Sequence, residues 1–300
     1  MSEDTPVAGG ELPHEPSFAS WRSYWDFARE VTHSRRYHLS ESSRRFLSEL
    51  LRTSEQRQSR LRAGHRLCRA QVAHSEYDDP DAGPLPRPAM PDRMVPLAYA
   101  ASDGRANPRG IPCLYMADDR HTAIAEVRPW IGSLVSVAIM RTLRDQRIVD
   151  VRDDTARTPI YLEGEPSSTE REASVWCHVA RAFREPVLRE DNRAGYAATQ
   201  IIAEAFRDHG YDGIAYCSGF GKGRTNIVLF DIAAAELEAC ELHEIKDVQL
   251  IHDEIESPYF VRKDADGGSS LFRNVITAIG PVGGPLLPLS QDGPDGATGS

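Results

Sequence analysis

The sequence lacks any long apolar run: the longest, such as Leu134 to Met140, fall far short of the ~20 residues needed to span a bilayer, so no membrane contact is expected. Basic charge is also scarce. The formal net charge is -10, whereas nucleic-acid binders present clustered Lys and Arg to phosphate backbones, so no nucleic-acid partner is expected. Cysteines number five, at 68, 113, 177, 217 and 240, odd in count and with no CxxC pair, which excludes a disulfide framework and a thiolate metal cluster. The N-terminus is acidic and Pro-rich rather than basic and then apolar, so no secretory leader is read and a cytoplasmic location with reduced thiols is expected.

Several catalytic signatures are missing as well. The turn SGFGKGRT would need Gly at 216 and Ser or Thr at 223 to be a Walker loop, but Tyr216 and Gly223 stand there. GxGxxG fails at Arg224, and the turn leads into a strand, so no helix N-terminus would receive a pyrophosphate. Tyr216 likewise breaks a GxSxG elbow around Ser218. No HExxH or Cys/His spacing marks a zinc site, and no metal is expected.

What is present is an ordinary globular chain, 40% hydrophobic with mean hydropathy -0.45. Its basic residues are mostly Arg, whose planar fork suits phosphate oxygens, so a small phosphorylated ligand stays open. Residues 1–16 carry four acidic side chains, three prolines and two glycines and are expected to be a disordered arm. Residues 17–63 read as a helical extension: Phe18, Trp21, Trp25 and Ala28 recur at helical spacing, and a second helix after Ser40 turns Phe46, Leu47, Leu50 and Leu51 inward. The Trp21 and Trp25 stripe leaves two readings open, packing on its own domain or a homodimer contact.

The main domain is expected over 64–263. Residues 64–73 alternate like a strand, and 78–96, with six prolines, read as a long irregular loop. Strands are predicted at 113–117 and 134–140 around a short helix at 119–127. Ser167-x-x-Glu170 is a capping box for a helix to about Phe183, and a second helix over 196–209 stops at Gly210. Strands at 213–217 and 226–230 flank the Gly-rich turn, with a last strand at 248–252. The Gly- and Pro-bearing residues 264–300 are expected to be a disordered tail.

The stretch GRANPRGIPCLYMADDRHTAIAEVRP (104–129) resembles the central motif of the RES family: an Arg and Asn turn, a Leu-Tyr strand, then a Thr-Ala-x-x-Glu helix. Gly64 to Arg69 resembles the family's opening strand, and YDGIAYCSGFGKGRTNIVLF (211–230) its closing Ser, Gly-rich turn and Asn-x-x-x-Phe strand. The resemblance spans roughly 64–231. It implies an α/β (α+β) fold like that of ADP-ribosyltransferase toxins, a split mixed sheet flanked by helices around an NAD cleft. It also implies an NAD-consuming toxin paired with a helix-turn-helix antitoxin of Xre type. The family's Arg, Glu and Ser carry over as catalytic Arg69 (with Arg105 as the alternative), Glu126 and Ser218. Arg105, Tyr115, Asn107 and Asn226 carry over as residues that bind NAD, the substrate. The 63 residues ahead of the opening strand and the proline-rich insertion depart from the usual compact pattern.

The chemistry suits these residue types. Breaking the ribose–nicotinamide bond builds oxocarbenium character while a pyridinium leaves as neutral nicotinamide, so one carboxylate near the ribose suffices and no general acid is required. Glu126 is placed for that role, and Arg69 and Arg105 for the pyrophosphate. Taken alone, Glu126 is a solvated helix carboxylate, Tyr115 a core aromatic and Ser218 a turn residue; the motif turns all three toward a site. Ile124 stands where transferases that modify proteins often carry a second carboxylate, which points to a small acceptor, water or phosphate. The alternatives are a catalytically silent NAD or ADP-ribose binding module and a protein ADP-ribosyltransferase.

Overall fold

The computed structural model describes residues 17–97, 100–153, 161, 164–185, 193–221, 223–252, 259–263 and 269–273; the arm expected at 1–16 and most of the tail expected at 264–300 lie outside them. The elements in chain order are α1 (Ser23–His33), α2 (Glu41–Ser54), β1 (Gln58–Leu61), β2 (Arg66–Gln71), β3 (His74–Asp79), β4 (Gly83–Pro88), β5 (Leu114–Ala117), α3 (Arg120–Glu126), β6 (Leu134–Thr142), β7 (Gln146–Asp150), α4 (Ser168–Arg184), α5 (Ala197–Asp208), β8 (Gly213–Cys217), β9 (Thr225–Leu229), β10 (Ala235–Glu244), β11 (Tyr259–Lys263) and β12 (Ser269–Arg273). The chain forms two compact units, 1–248 and 249–300.

In the first unit eight strands make one mixed sheet in the order β1-β7-β8-β9-β5-β2-β6-β10. Only β7 and β8 run parallel, joined through the crossover that carries α4 and α5. Strands β8 and β9 are buried at every position, and their alternation sorts side chains to two faces. Ile214, Tyr216 and Val228 point into a core shared with the helices, whereas Ala215, Ile227 and Leu229 point into a second core on the opposite face. The expected split is visible in the ladder. Strand β2 pairs along six residues with β6 but meets β5 at the single Cα pair Cys68↔Ala117, so the sheet opens there.

Side-chain caps fix where α2 and α4 begin. Ser167 and Glu170 form the expected reciprocal capping box of α4. Ser40 caps α2 by accepting from the Ser43 N–H, and its own hydroxyl donates to Glu30 of α1 at 2.5 Å, so one residue starts α2 and ties it to α1. Ser40→Ala is expected to lower stability by about 1 kcal/mol, the usual scale for a lost N-cap. Urea denaturation would check it, an unchanged midpoint counting against this joint.

The helical segment 17–63 is not an appendage. Phe18, Tyr24, Phe27 and Val31, with Phe46 and Leu50 from α2, pack in one core with Val175, Trp176 and Phe206 of the two later helices, and β1 adds a sheet edge by pairing with β7. The inward face of α1 differs from the expected stripe: Trp21 precedes the helix and is 3% exposed, whereas Trp25 is 40% exposed with its ring 4.5 Å from that of His178. Trp21 thus packs on its own domain.

Three expectations need correction. Of the irregular loop expected at 78–96, residues 78–88 instead belong to the hairpin β3–β4, which begins at His74. Pro84, Pro86 and Pro88 occupy alternate positions opposite Asp78, Glu76 and His74; successive residues turn their N–H groups to opposite edges, so prolines at every second position leave the donors toward β3 intact. Second, 248–252 forms no strand, and Leu250 and Ile251 are exposed; the strand lies earlier, as β10 paired with β6. Third, within the tail segment Ser269–Arg273 pairs antiparallel with Tyr259–Lys263 as the hairpin of the second unit.

Candidate active site

A cleft of about 1010 Å³ opens where β2 and β5 part. Glu126, the last residue of α3, projects into its wall, half-buried. Its Oε1 accepts from Ser218 Oγ at 2.8 Å and from Asn226 Nδ2 at 2.5 Å. Among the described residues Oε2 has no partner. A carboxylate at a helix C-terminus faces the negative end of the helix dipole. Two donors on one oxygen offset that cost, fix the rotamer and leave the second oxygen for a ligand.

The start of α3 is fixed as firmly as its end. Asp119 caps the helix through the Thr122 N–H at 2.9 Å, and Arg224 Nη1 donates to both Asp119 carboxylate oxygens at 3.0 Å and to Thr122 Oγ1 at 3.1 Å. Arg224 closes the Gly-rich turn, its carbonyl accepting from the Ser218 N–H at 2.8 Å. One arginine therefore couples the turn holding Ser218 to the helix holding Glu126. Burial pushes the Asp119 carboxyl up, but the Thr122 hydroxyl and N–H and the Arg224 guanidinium bring it down to about 2. A carboxyl depressed in the folded state stabilises above its unfolded value, about 4, and that contribution is lost as pH falls through about 2. The melting advantage of the wild type over Asp119→Asn is therefore expected to be full at pH 7 and to vanish between pH ~4 and pH ~2, on a scale of ~1 kcal/mol for a partly exposed cap. A pH-independent difference would remove this strap from the account.

The arginines differ in how much of their reach is left. Arg69 lies across the sheet opening, donating Nε to Met94 O and Nη1 to Tyr115 O, both at 3.0 Å; burial lowers its pKa. It therefore ties β2 to β5 with one N–H and to the segment at Met94 with another, and keeps three of its five N–H groups. Arg105 donates to Phe183 O and lies 5.8 Å from the centre of the Tyr216 ring. Arg109 and Arg128 line the rim and are exposed.

Tyr115 places its ring in the cleft, but its hydroxyl is engaged: it donates to Asn107 Oδ1 at 2.7 Å and accepts from the Ala106 N–H at 2.9 Å, and burial holds its pKa well above the usual phenol value. Asn107 is 2% exposed and its Nδ2 donates to the carbonyls of Ser102, Pro108 and Ile111. Asn107 thus organises the 102–111 loop from within.

Glu126, Arg69, Arg105, Tyr115, Asn107 and Asn226 all line this cleft. Ser218 does not; it is fully buried behind Glu126 and holds it. Gln200 of α5 went unread in the sequence. It is 9% exposed, and its Nε2 donates to Gly104 O and Asn107 O, both at 2.9 Å, clamping the loop that carries Arg105. The signal was a long amide inside the apolar face of a helix otherwise packed through Ala198, Ile202 and Phe206. Among the described residues no group of His, Cys, Asp and Glu could hold a metal ion, and no helix is long and apolar enough to cross a membrane.

A family model described as RES domain matches residues 57–253. Among solved structures the chain is similar to the toxin of the M. tuberculosis MbcT–MbcA toxin–antitoxin complex, at 13% identity over 65% of this chain and 92% of that chain, with a TM-score of 0.38. No curated protein matches.

Proposed function

Since the chain belongs to the RES domain family, we propose that it is an enzyme that cleaves the nicotinamide–ribose bond of NAD. One observation carries the reading. At the sheet opening a carboxylate is held through one oxygen by Ser218 and Asn226, leaving the other unpartnered among the described residues, in a cleft also lined by Arg69 and Arg105. In this reading the dinucleotide lies across Arg69 and Arg105, whose remaining N–H groups take the pyrophosphate, and the Tyr115 ring stacks on a base.

The free Glu126 oxygen faces the ribose. As the C1–N bond lengthens, the pyridinium nitrogen takes the bonding pair and leaves as neutral nicotinamide, while positive charge grows on the sugar opposite the carboxylate. Water adds at C1 and loses a proton, giving ADP-ribose. Ser218 acts in this scheme by holding Glu126 and not as a nucleophile.

The test follows free nicotinamide by chromatography when purified protein meets NAD, and identifies the other product by mass spectrometry with and without phosphate. ADP-ribose in both supports hydrolysis; ADP-ribose 1″-phosphate formed only with phosphate identifies phosphate as acceptor. Absence of nicotinamide release from folded protein overturns the proposal. Membership of the family also motivates the proposed physiological role, a growth-inhibiting toxin neutralised by a helix-turn-helix antitoxin. Co-expression with a small helix-turn-helix neighbour is expected to suppress nicotinamide release.

A further inference from the structure

Among the described residues Arg128 is the only non-glycine residue with positive φ, at 47°. It follows α3 directly and its N–H donates to Ala125 O at 3.1 Å, the position where helices commonly end in a left-handed glycine. It also precedes Pro129, which further restricts its backbone. An arginine is thus held where glycine would sit with less strain, and residues kept in sparsely populated backbone regions cluster at ligand sites.

The side chain suggests what that strain serves. Its guanidinium lies 5.5 Å from the centre of the Phe220 ring, which belongs to the same Gly-rich turn as Ser218, and it borders the cleft two residues beyond Glu126. Arg69 and Arg105 each donate to main-chain carbonyls. The Arg128 guanidinium has no hydrogen-bond or ion-pair partner among the described residues, and the contact it makes there is with the Phe220 ring. A fully charged fork resting on an aromatic face at a cleft rim is pre-oriented, with its N–H edge available for an anion.

We propose that Arg128 is an anion-binding residue of this site and contacts a phosphate of the ADP-ribosyl moiety, an inference that rests on the NAD reading above. Phe220 and the left-handed backbone hold the guanidinium at the rim. Arg128→Gly therefore relieves strain and removes the contact at once, so binding and stability move in opposite directions.

The experiment titrates ADP-ribose into the full chain by calorimetry, with thermal melts of the ligand-free proteins and nicotinamide release measured in parallel. Arg128→Gly is expected to weaken ADP-ribose at least tenfold while melting at or above the wild-type temperature. Arg128→Lys, which keeps a cation, is expected to retain at least a third of the wild-type affinity. Binding by Arg128→Gly within twofold of wild type, in a protein that binds ADP-ribose and releases nicotinamide, overturns this inference and leaves the NAD reading standing. Failure of the wild type to bind ADP-ribose and to release nicotinamide overturns both. Should Arg128→Gly melt lower, Arg128→Lys decides: near-native affinity supports the phosphate contact, and a loss equal to that of the glycine variant rejects it.

Discussion

Glu126→Gln is expected to lower the rate of nicotinamide release from NAD by about 10²–10³-fold, the scale on which a single preorganised electrostatic contact acts in a transition state. The substitution keeps the shape of the side chain. An amide oxygen can still accept from Ser218 and Asn226, which reach the carboxylate at 2.8 and 2.5 Å, so the packing behind the residue survives and the melting temperature should shift by no more than about 2 °C. What disappears is the negative charge opposite the sugar. Because that charge interacts most strongly with an oxocarbenium-like transition state, kcat should carry the loss and KM should change little. A kcat within threefold of wild type would place the reaction's carboxylate elsewhere.

The second large effect is expected from Gly104→Ala. A Cβ built on Gly104 would stand 2.4 Å from the Tyr115 hydroxyl and 2.6 Å from Asn107 Oδ1, and those two atoms are themselves hydrogen-bonded. Neither is a free side-chain end that can swing aside, since Tyr115 also accepts from Ala106 and Asn107 is bonded to three carbonyls. The loop bearing Arg105 must shift, and displacement of about 1 Å in a site that works by positioning costs on the order of 10²-fold in kcat/KM. Gly110→Ala is the control. Gly110 has φ +89 and nothing within 4 Å of the added carbon, so it should lose roughly 1 kcal/mol of stability through strain alone and keep its activity. Equal activity losses in the two variants would show that the loop merely dislikes substitution.

Much of this site was legible because its residues sit in short, ordered motifs. Tyr115 and Glu126 lie on a strand and the helix after it, and the closing segment returns Ser218 and Asn226 to the same helix end, where both reach Glu126. The starts of α2, α3 and α4 were equally readable, since a side-chain cap is a local bargain with the next few N–H groups. What escaped depended on distant pairing. Nothing near Arg69 in sequence announces that its guanidinium bridges the sheet to the Tyr115 carbonyl, nor that Gln200 would clamp a loop 96 residues away. The strand at 235–244 was hidden because a register shift between Leu237 and Ala239 interrupts its alternation. The proline count of 78–96 masked a hairpin whose turn carries a local signature: Asp79 accepts from the Asp81 and Ala82 N–H groups and Gly83 takes φ +76, so the three-residue loop 80–82 is followed by a left-handed glycine that opens β4.

That hairpin has a consequence for how the protein behaves among other copies of itself. Because His74, Glu76 and Asp78 face prolines across the pair, the positions on β4 that turn away from β3 are the ones without an N–H. A strand approaching that side from another chain would find carbonyls but no donors at 84, 86 and 88, and could form only half a ladder. The β4 edge is therefore a poor template, on which a misfolded neighbour in a crowded cell cannot complete a ladder.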